Sequence, residues 1–380
     1  MTTFMEDLLD IKEDLTFTVS EIFKIPPENI NANRINDGNM NYVFKFCSDE
    51  IKNSMIIKKS VNYIPCLGKN YYLSSDRILV EIEFYNFLNK HLQMFSPKIF
   101  KYSKLNKFII MEYLHEHETL TRLSLKTDHI NFGKIGQFLA HMIFLTQDKY
   151  GKSKLMGHQQ KIFQDNNLKN LHIDYIFNYP YEEHETNNYG LHLVKEVELI
   201  QNNKYLLDEI KKLKVKYIND TESLIHGDFH LGSVMSNLND SIKIIDHEFC
   251  CFGPSSFDIG VFIAHIIVIL VVPGQDRLKV LEFLNDFWNG FKDQFSILED
   301  NLKTSSELQQ YFDKLWFESI KFCGCEIMRR IIGASNFPVF NFTDIKMDES
   351  ELLLIKFGQD LVQNTKSYQL PLDLVNGVKF

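Results

Sequence analysis

Two short acidic stretches of this chain have the residue types and spacing to do chemistry. His226-Gly-Asp-Phe-His-Leu-Gly-Ser233 follows the strand-forming Leu224 and Ile225, and Ile245-Asp-His-Glu-Phe249 follows Ile242 and Ile244. An acid at a strand end faces a cleft rather than bulk water. Asp228, beside Gly227, can orient a hydroxyl and take its proton. Asp246 and Glu248 alternate with Ile245, His247 and Phe249, which predicts a strand carrying both carboxylates on one face. Such a pair repels unless a cation lies between, and Mg²⁺ prefers hard oxygen ligands of this type. A base and a magnesium-binding pair together can move a phosphoryl group from ATP to an alcohol. Each part has a plainer reading, a capping aspartate or an exposed strand edge. Their succession within one short apolar-flanked stretch favours chemistry.

The elements around them fit that reading. Residues 1–30 have helical spacing and close at Pro26-Pro27. Ile35 to Phe46 reads as a turn feeding an alternating strand, and Ser54-Met-Ile-Ile-Lys58 as a second strand. Lys58, at its end, is a candidate for the α/β phosphates of ATP. In Asp37-Gly-Asn-Met-Asn41, backbone amides and the side chains of Asn39 and Asn41 can cradle a phosphate. Arg77 to Leu92 predicts a helix in which one of the acids at 81 and 83 pairs with Lys58. Pro97 to Tyr102 and Lys107 to Tyr113 predict further strands of a five-stranded N-terminal lobe.

Beyond residue 115 helical patterning dominates: Phe132 to Leu145, Val194 to Lys216, Leu278 to Phe295 and Leu308 to Ile332. The expected fold class is α+β. A small N-terminal antiparallel β lobe (1–115) binds nucleotide, and a larger, mainly helical lobe (116–380) carries the catalytic and substrate-binding residues. The Asn-rich stretches at 166–170, 187–188 and 202–203 read as surface loops. Arg329-Arg330, near the end of an apolar helix, can bind a substrate hydroxyl or steady a transferring phosphate. Asp258 is expected to accept hydrogen bonds from the catalytic-loop backbone.

Bulk properties narrow the class. At 380 residues the chain exceeds a single core, and a formal charge of −9 argues against a nucleic-acid partner. The 6 cysteines lack zinc-site spacing, and the acidic, mixed N-terminus does not resemble a secretory signal. Free thiols in a reducing cytoplasm follow. Ile259 to Pro273 is apolar but shorter than the ~20 residues of a spanning helix, so a buried helix and no membrane partner are expected.

The residues also resemble a family. Asp37-Gly-Asn-Met-Asn-Tyr-Val-Phe44, Ser54 to Lys58, Met111-Glu-Tyr-Leu114, His226 to Ser233, Asp246-His-Glu-Phe249, Phe252-Gly-Pro254, Phe257-Asp-Ile-Gly260 and Met328-Arg-Arg-Ile-Ile-Gly333 are similar to the methylthioribose kinases. These lie within the protein-kinase-like group that includes the aminoglycoside phosphotransferases. The resemblance implies a two-lobed protein-kinase-like fold. It also implies ATP- and Mg²⁺-dependent phosphorylation of the 1-hydroxyl of 5-methylthioribose, in methionine salvage, by a homodimer. It makes Asp228 the base, Asp246 and Glu248 the magnesium ligands, and Lys58 an ATP contact. The backbone of Glu112 and Leu114 would meet adenine, and Arg329 and Arg330 the sugar and its phosphate. The chain departs from the family at Leu231 (usually Thr), His247 (usually Pro) and Tyr71-Tyr-Leu73 (usually Ser-Trp-Pro). A related kinase of choline, homoserine or an aminoglycoside is the alternative, and a non-catalytic nucleotide-binding module a further one.

Overall fold

Alternating apolar residues between Ala32 and Met111 build one five-stranded sheet in the computed structural model. The model describes residues 2–35, 40–50, 54–65, 68–127, 129–147, 153–155, 157–237, 239–299, 304–342 and 348–379. The strands β1 (Asn31–Arg34), β2 (Tyr42–Cys47), β3 (Met55–Lys59), β6 (Ile99–Ser103) and β7 (Phe108–Glu112) lie in the order β1-β2-β3-β7-β6, every neighbour antiparallel. A separate hairpin joins β4 (Tyr63–Ile64) to β5 (Gly68–Tyr72). The expected five-stranded lobe is present, and its first strand begins earlier than Ile35.

The period-two alternation of a strand decides which helix each residue meets. On β7, Phe108 and Ile110 share a core with Leu15 and Val19 of α1 (Thr2–Phe23). Ile109 and Met111, between them, pack with Ile78, Ile82 and Tyr85 of α2 (Arg77–His91). On β3, Met55 and Ile57 belong to the α1 side. Lys58 therefore lies on the α2 side, in register with Ile109.

The chain divides into two compact units, Met1–Glu116 and His117–Phe380. The second unit is mainly helical around two small sheets. One has the order β11 (Ile242–Ile244), β10 (Val234–Ser236), β8 (Glu118–Thr119); the other pairs β12 (Cys251–Gly253) with β9 (Ser223–Ile225). Its helices include α3 (Leu120–Lys126), α4 (Phe132–Thr146), α5 (Gly157–Gln164) and α6 (Leu168–Phe177). Then come α7 (Val194–Gln201), α8 (Lys204–Asn219), α9 (Ser256–Ile267), α10 (Arg277–Leu298), α11 (Ser305–Ile332), α12 (Asp348–Gln363) and α13 (Pro371–Gly377). The single helix expected over Val194 to Lys216 is two helices. Asn203 interrupts it by accepting a hydrogen bond from Leu206 N–H, a polar side chain favouring a cap over a helix interior.

The apolar run at 259–273 is the buried helix α9 and the turn after it; every residue of α9 is buried. Among the described residues no helix is long and apolar enough to cross a membrane. At Gly260 of α9 a β-carbon would stand 2.4 Å from the Ser319 carbonyl of α11. Glycine thus lets the two helices touch, and that contact brings His265 of α9 to Glu326 of α11.

Candidate active site

Ile225 ends β9, and the chain turns at Gly227 with a φ of +86°. A β-carbon there would lie 2.4 Å from the Phe249 carbonyl oxygen, so both conformation and space require glycine. Gly227→Ala is expected to destabilise the protein by about 1–3 kcal/mol and to lower turnover, through strain at the loop. A urea midpoint unchanged from wild type would contradict this.

The loop from His226 to Ser233 is pinned on several sides. Asp258, in the first turn of α9, accepts from His226 N–H at 2.6 Å and Gly227 N–H at 3.0 Å, as the sequence led one to expect. Burial pushes the Asp258 carboxyl up to about 7. The His226 imidazole is within hydrogen-bond range of the Ile245 carbonyl (Nε2, 3.0 Å) and accepts from Asp228 N–H (Nδ1, 3.3 Å). Burial lowers its pKa to about 4, consistent with a neutral ring holding one proton for Ile245. Ile245 N–H donates to Ser233 O at 2.9 Å. The loop carrying Asp228 and the segment carrying Asp246 are thereby tied together.

Asp228 meets three cationic or hydrogen-bonding groups. His230 Nε2 is 3.4 Å from Oδ2, while Nη2 of Arg330 and of Arg329 are 3.6 and 3.8 Å from Oδ1. Burial raises the carboxyl's pKa, but His230 and then Arg330 and Arg329 hold it well below the usual carboxylate range. The group is ionised at neutral pH and ready to accept a hydrogen bond.

The two arginines are oriented by Glu326, which the sequence reading passed over. Arg329 Nε and Nη2 donate to Glu326 at 2.6 and 2.9 Å, and Arg330 Nε donates at 2.9 Å. The His265 ring nitrogen lies 3.3 Å away. Burial of Glu326 (1 % exposed) works to raise its pKa, and the two guanidiniums and His265 overcome it. The signal was available: Glu326, Arg329 and Arg330 stand at i, i+3 and i+4 of one helix, spacing that places a carboxylate beside both arginines.

The two carboxylates expected to hold magnesium, Asp246 and Glu248, do not lie on a strand. β11 ends at Ile244, and Asp246 has left-handed φ and ψ of 68° and 55° before a short 3₁₀ turn, His247–Phe249. Asp246 is exposed and Glu248 buried, so the two do not share a strand face. Backbone pairing stops after Ile244, and tight turning replaces the alternation read from the sequence. Asn166, expected in a surface loop, is instead buried and donates to the carbonyls of Glu248 and Cys250, each at 2.9 Å. No local pattern signals this bond, because Asn166 is 82 residues from Glu248.

In the first unit Lys58 is buried and pairs with Glu81 at 2.8 Å, the partner expected from α2. The Glu112 backbone bonds to Lys98 O, its side chain accepts from Lys98 N–H at 2.8 Å, and Tyr113 N–H donates to Ser54 O at 3.3 Å. These bonds fix the strand end that leads to Leu114. Asn41 is buried at the start of β2, and Asn39 lies outside the described residues.

The phosphotransferase enzyme family matches residues 32–280 of the chain. A methylthioribose kinase of Bacillus velezensis is 29% identical over 357 residues, covering 89% of this chain and 87% of its own. That of Bacillus mycoides is 30% identical over 318 residues, 81% and 80% of the two chains. In structure, the choline kinase of Cryptosporidium parvum aligns over 95% of this chain and 98% of its own, with a TM-score of 0.52 at 15% identity. That likeness shows a protein-kinase-like fold, and the matched relatives make the chain a kinase of a small molecule. The chain belongs to the phosphotransferase enzyme family and, within it, to the methylthioribose kinases.

Proposed function

We propose that this kinase transfers the γ-phosphoryl group of ATP to the 1-hydroxyl of 5-methylthioribose, giving 5-methylthioribose 1-phosphate for methionine salvage. It acts with Mg²⁺, as a homodimer in the cytoplasm. The observation that supports this most is the ionised Asp228 carboxylate set against the paired guanidiniums of Arg329 and Arg330. A hydroxyl that becomes a phosphate ester gains negative charge, and a base beside two fixed cations suits both ends of that change. The acceptor's identity rests on the similarity to methylthioribose kinases.

In this reading residues 1–115 bind the nucleotide and residues 116–380 hold the acceptor. Lys58, kept in place by Glu81, meets the ATP phosphates together with Asn41 and Asn39. The backbone of Glu112 and Leu114 receives adenine. Asp228 takes a hydrogen bond from the sugar 1-hydroxyl and aims its oxygen at the γ-phosphorus. The new bond joins that oxygen to phosphorus, the bond to the β–γ bridging oxygen breaks, ADP leaves, and the hydroxyl proton passes to Asp228. A weakly basic carboxylate is enough, since phosphoryl transfer is loose and the proton moves late. Arg329 and Arg330 then exchange part of their attraction for Asp228 for the phosphate oxygens.

The turn at 246–248 fits Mg²⁺ by its donor chemistry. It offers two carboxylates two positions apart, and Asn166 holds the Glu248 carbonyl. Magnesium bound there would neutralise charge on the ATP phosphates. Asp246→Asn is expected to raise the Mg²⁺ concentration for half-maximal rate about tenfold and to shrink the magnesium-dependent thermal shift with ATP. An unchanged magnesium titration would remove Asp246 from the site.

Acceptor choice is tested by ADP release with Mg-ATP and 5-methylthioribose, beside ribose, choline and an aminoglycoside. Turnover confined to methylthioribose is expected. Faster turnover of another acceptor would overturn the substrate assignment and leave the kinase family in place.

A further inference from the structure

His230 is two residues beyond Asp228 in the same loop, and its contacts are unusually well defined. Gly232 N–H donates to His230 Nδ1 at 2.8 Å, which makes Nδ1 an acceptor and leaves Nε2 to carry the ring hydrogen. That nitrogen is the one facing Asp228 Oδ2 at 3.4 Å. The His230 backbone is fixed as well: its N–H donates to Ser233 Oγ at 3.0 Å, and the Ser233 hydroxyl donates back to its carbonyl at 2.8 Å. A β-carbon on Gly232 would come within 2.6 Å of His230 Cε1 and 2.9 Å of Nδ1, so the ring sits where only glycine leaves room.

The ring is backed by a second histidine. His265 stacks on it with centroids 5.0 Å apart and an interplanar angle of 19°, and a nitrogen of His265 lies 3.3 Å from Glu326. Burial brings the His265 pKa down to about 3, so the stacked ring is neutral and does not repel. Glu326 is the same carboxylate that holds Arg329 and Arg330. The two oxygens of Asp228 are thus addressed from opposite ends of one connected set, Oδ1 by the guanidiniums and Oδ2 by His230.

We propose that His230 is the positioning residue of Asp228: its Nε2–H fixes Oδ2, which leaves the carboxylate in one orientation with an acceptor lone pair free for the sugar hydroxyl. At 3.4 Å the contact is long for a hydrogen bond, and it is expected to shorten when the hydroxyl binds, as catalytic hydrogen bonds commonly do. In this role His230 acts through Asp228. The inference rests on the reading of Asp228 as the base.

The test uses His230→Leu, which removes the donor, and His230→Gln, whose amide reaches the Nε2 position. Should His230→Leu unfold below the assay temperature, His230→Asn keeps an acceptor for Gly232 N–H and lacks the reach to Asp228. The first readout is the titration of the Asp228 carboxyl by carbon NMR of aspartate-labelled protein, assigned with Asp228→Asn. Charged and titratable groups around that carboxyl are His226 and His230 on its loop, His172 of α6, Asp258 and His265 of α9, and Glu326, Arg329 and Arg330 of α11. Loss of a donor to the anion raises the midpoint, so His230→Leu is expected to shift it up by about one unit. His230→Gln is expected to stay near wild type.

The second readout is kinetic. His230→Leu is expected to lower kcat about 10- to 100-fold with the KM for ATP unchanged, and His230→Gln to recover most of it. A wild-type midpoint and kcat in His230→Leu would overturn the proposal, as would equal losses in the two variants. If the wild-type chain turned over no methylthioribose, the substrate reading would fall, and the titration would still decide on His230.

Discussion

Asp228→Asn is expected to lower kcat by about 10²–10⁴, the range supplied by a positioned general base, and to leave the thermal shift with Mg-ATP unchanged. Asparagine keeps the shape of the side chain and an acceptor oxygen for Arg329 and Arg330, which stand 3.8 and 3.6 Å from Oδ1. It cannot take the proton, and its amide group turns a donor toward His230 or toward the incoming hydroxyl. The loss therefore belongs to the chemical step. It is read by ADP release with the best acceptor of the panel, beside a melting curve with and without nucleotide. Turnover within about threefold of wild type would show that the hydroxyl proton leaves by another route.

Removal of Glu326 is expected to destabilise the protein strongly. Its carboxylate is the shared partner of two guanidiniums and stands beside His265, with 1 % of the residue exposed. Glu326→Ala strands two arginines beside one another, leaving them Asp228 and, for Arg330, the neutral Ser335 hydroxyl and Asn336 carbonyl. Breaking a buried pair by deleting one partner costs about 3–5 kcal/mol, and a loss of that order is expected in urea unfolding. Glu326→Gln keeps the volume and one acceptor, so its loss is smaller.

The pH dependence gives a second check. The guanidiniums and His265 hold the folded-state pKa of Glu326 below its unfolded value of about 4.3, despite burial. Its contribution is therefore fully present above that value and fades as pH falls further. The gap between wild type and Glu326→Gln is expected to be widest near neutrality and to narrow progressively below pH of about 4. A gap independent of pH would mean that the charge of Glu326 does not matter.

Local pattern carried much of the architecture. Alternation at Tyr42 to Phe46 shows a strand with two faces, the unbroken apolar run Phe108 to Met111 a strand buried on both, and period-two geometry puts Lys58 opposite the core residues Met55 and Ile57. Local pattern also sufficed for the buried helix at Ser256–Ile267, because a segment apolar all round has no solvent side. The acids at 228, 246 and 248 stand out as candidates by residue type and spacing. The strand assumed for Asp246 and Glu248 was not correct, since alternation over five residues cannot reveal that backbone pairing ends at Ile244.

What the sequence by itself determined is the set of chemical groups and the order of the elements that carry them, because periodicity and residue type are local properties. What only the tertiary structure decided is which groups share a site. Glu326 orients the arginines from within one helix, but its contact with His265 depends on α9 packing against α11 at Gly260. Asn166 reaches the Glu248 carbonyl across 82 residues of chain. His230 acquires its direction from Gly232 and the ring of His265. These contacts are set by helix packing and loop closure, which depend on the whole core and leave no mark in any short stretch of sequence.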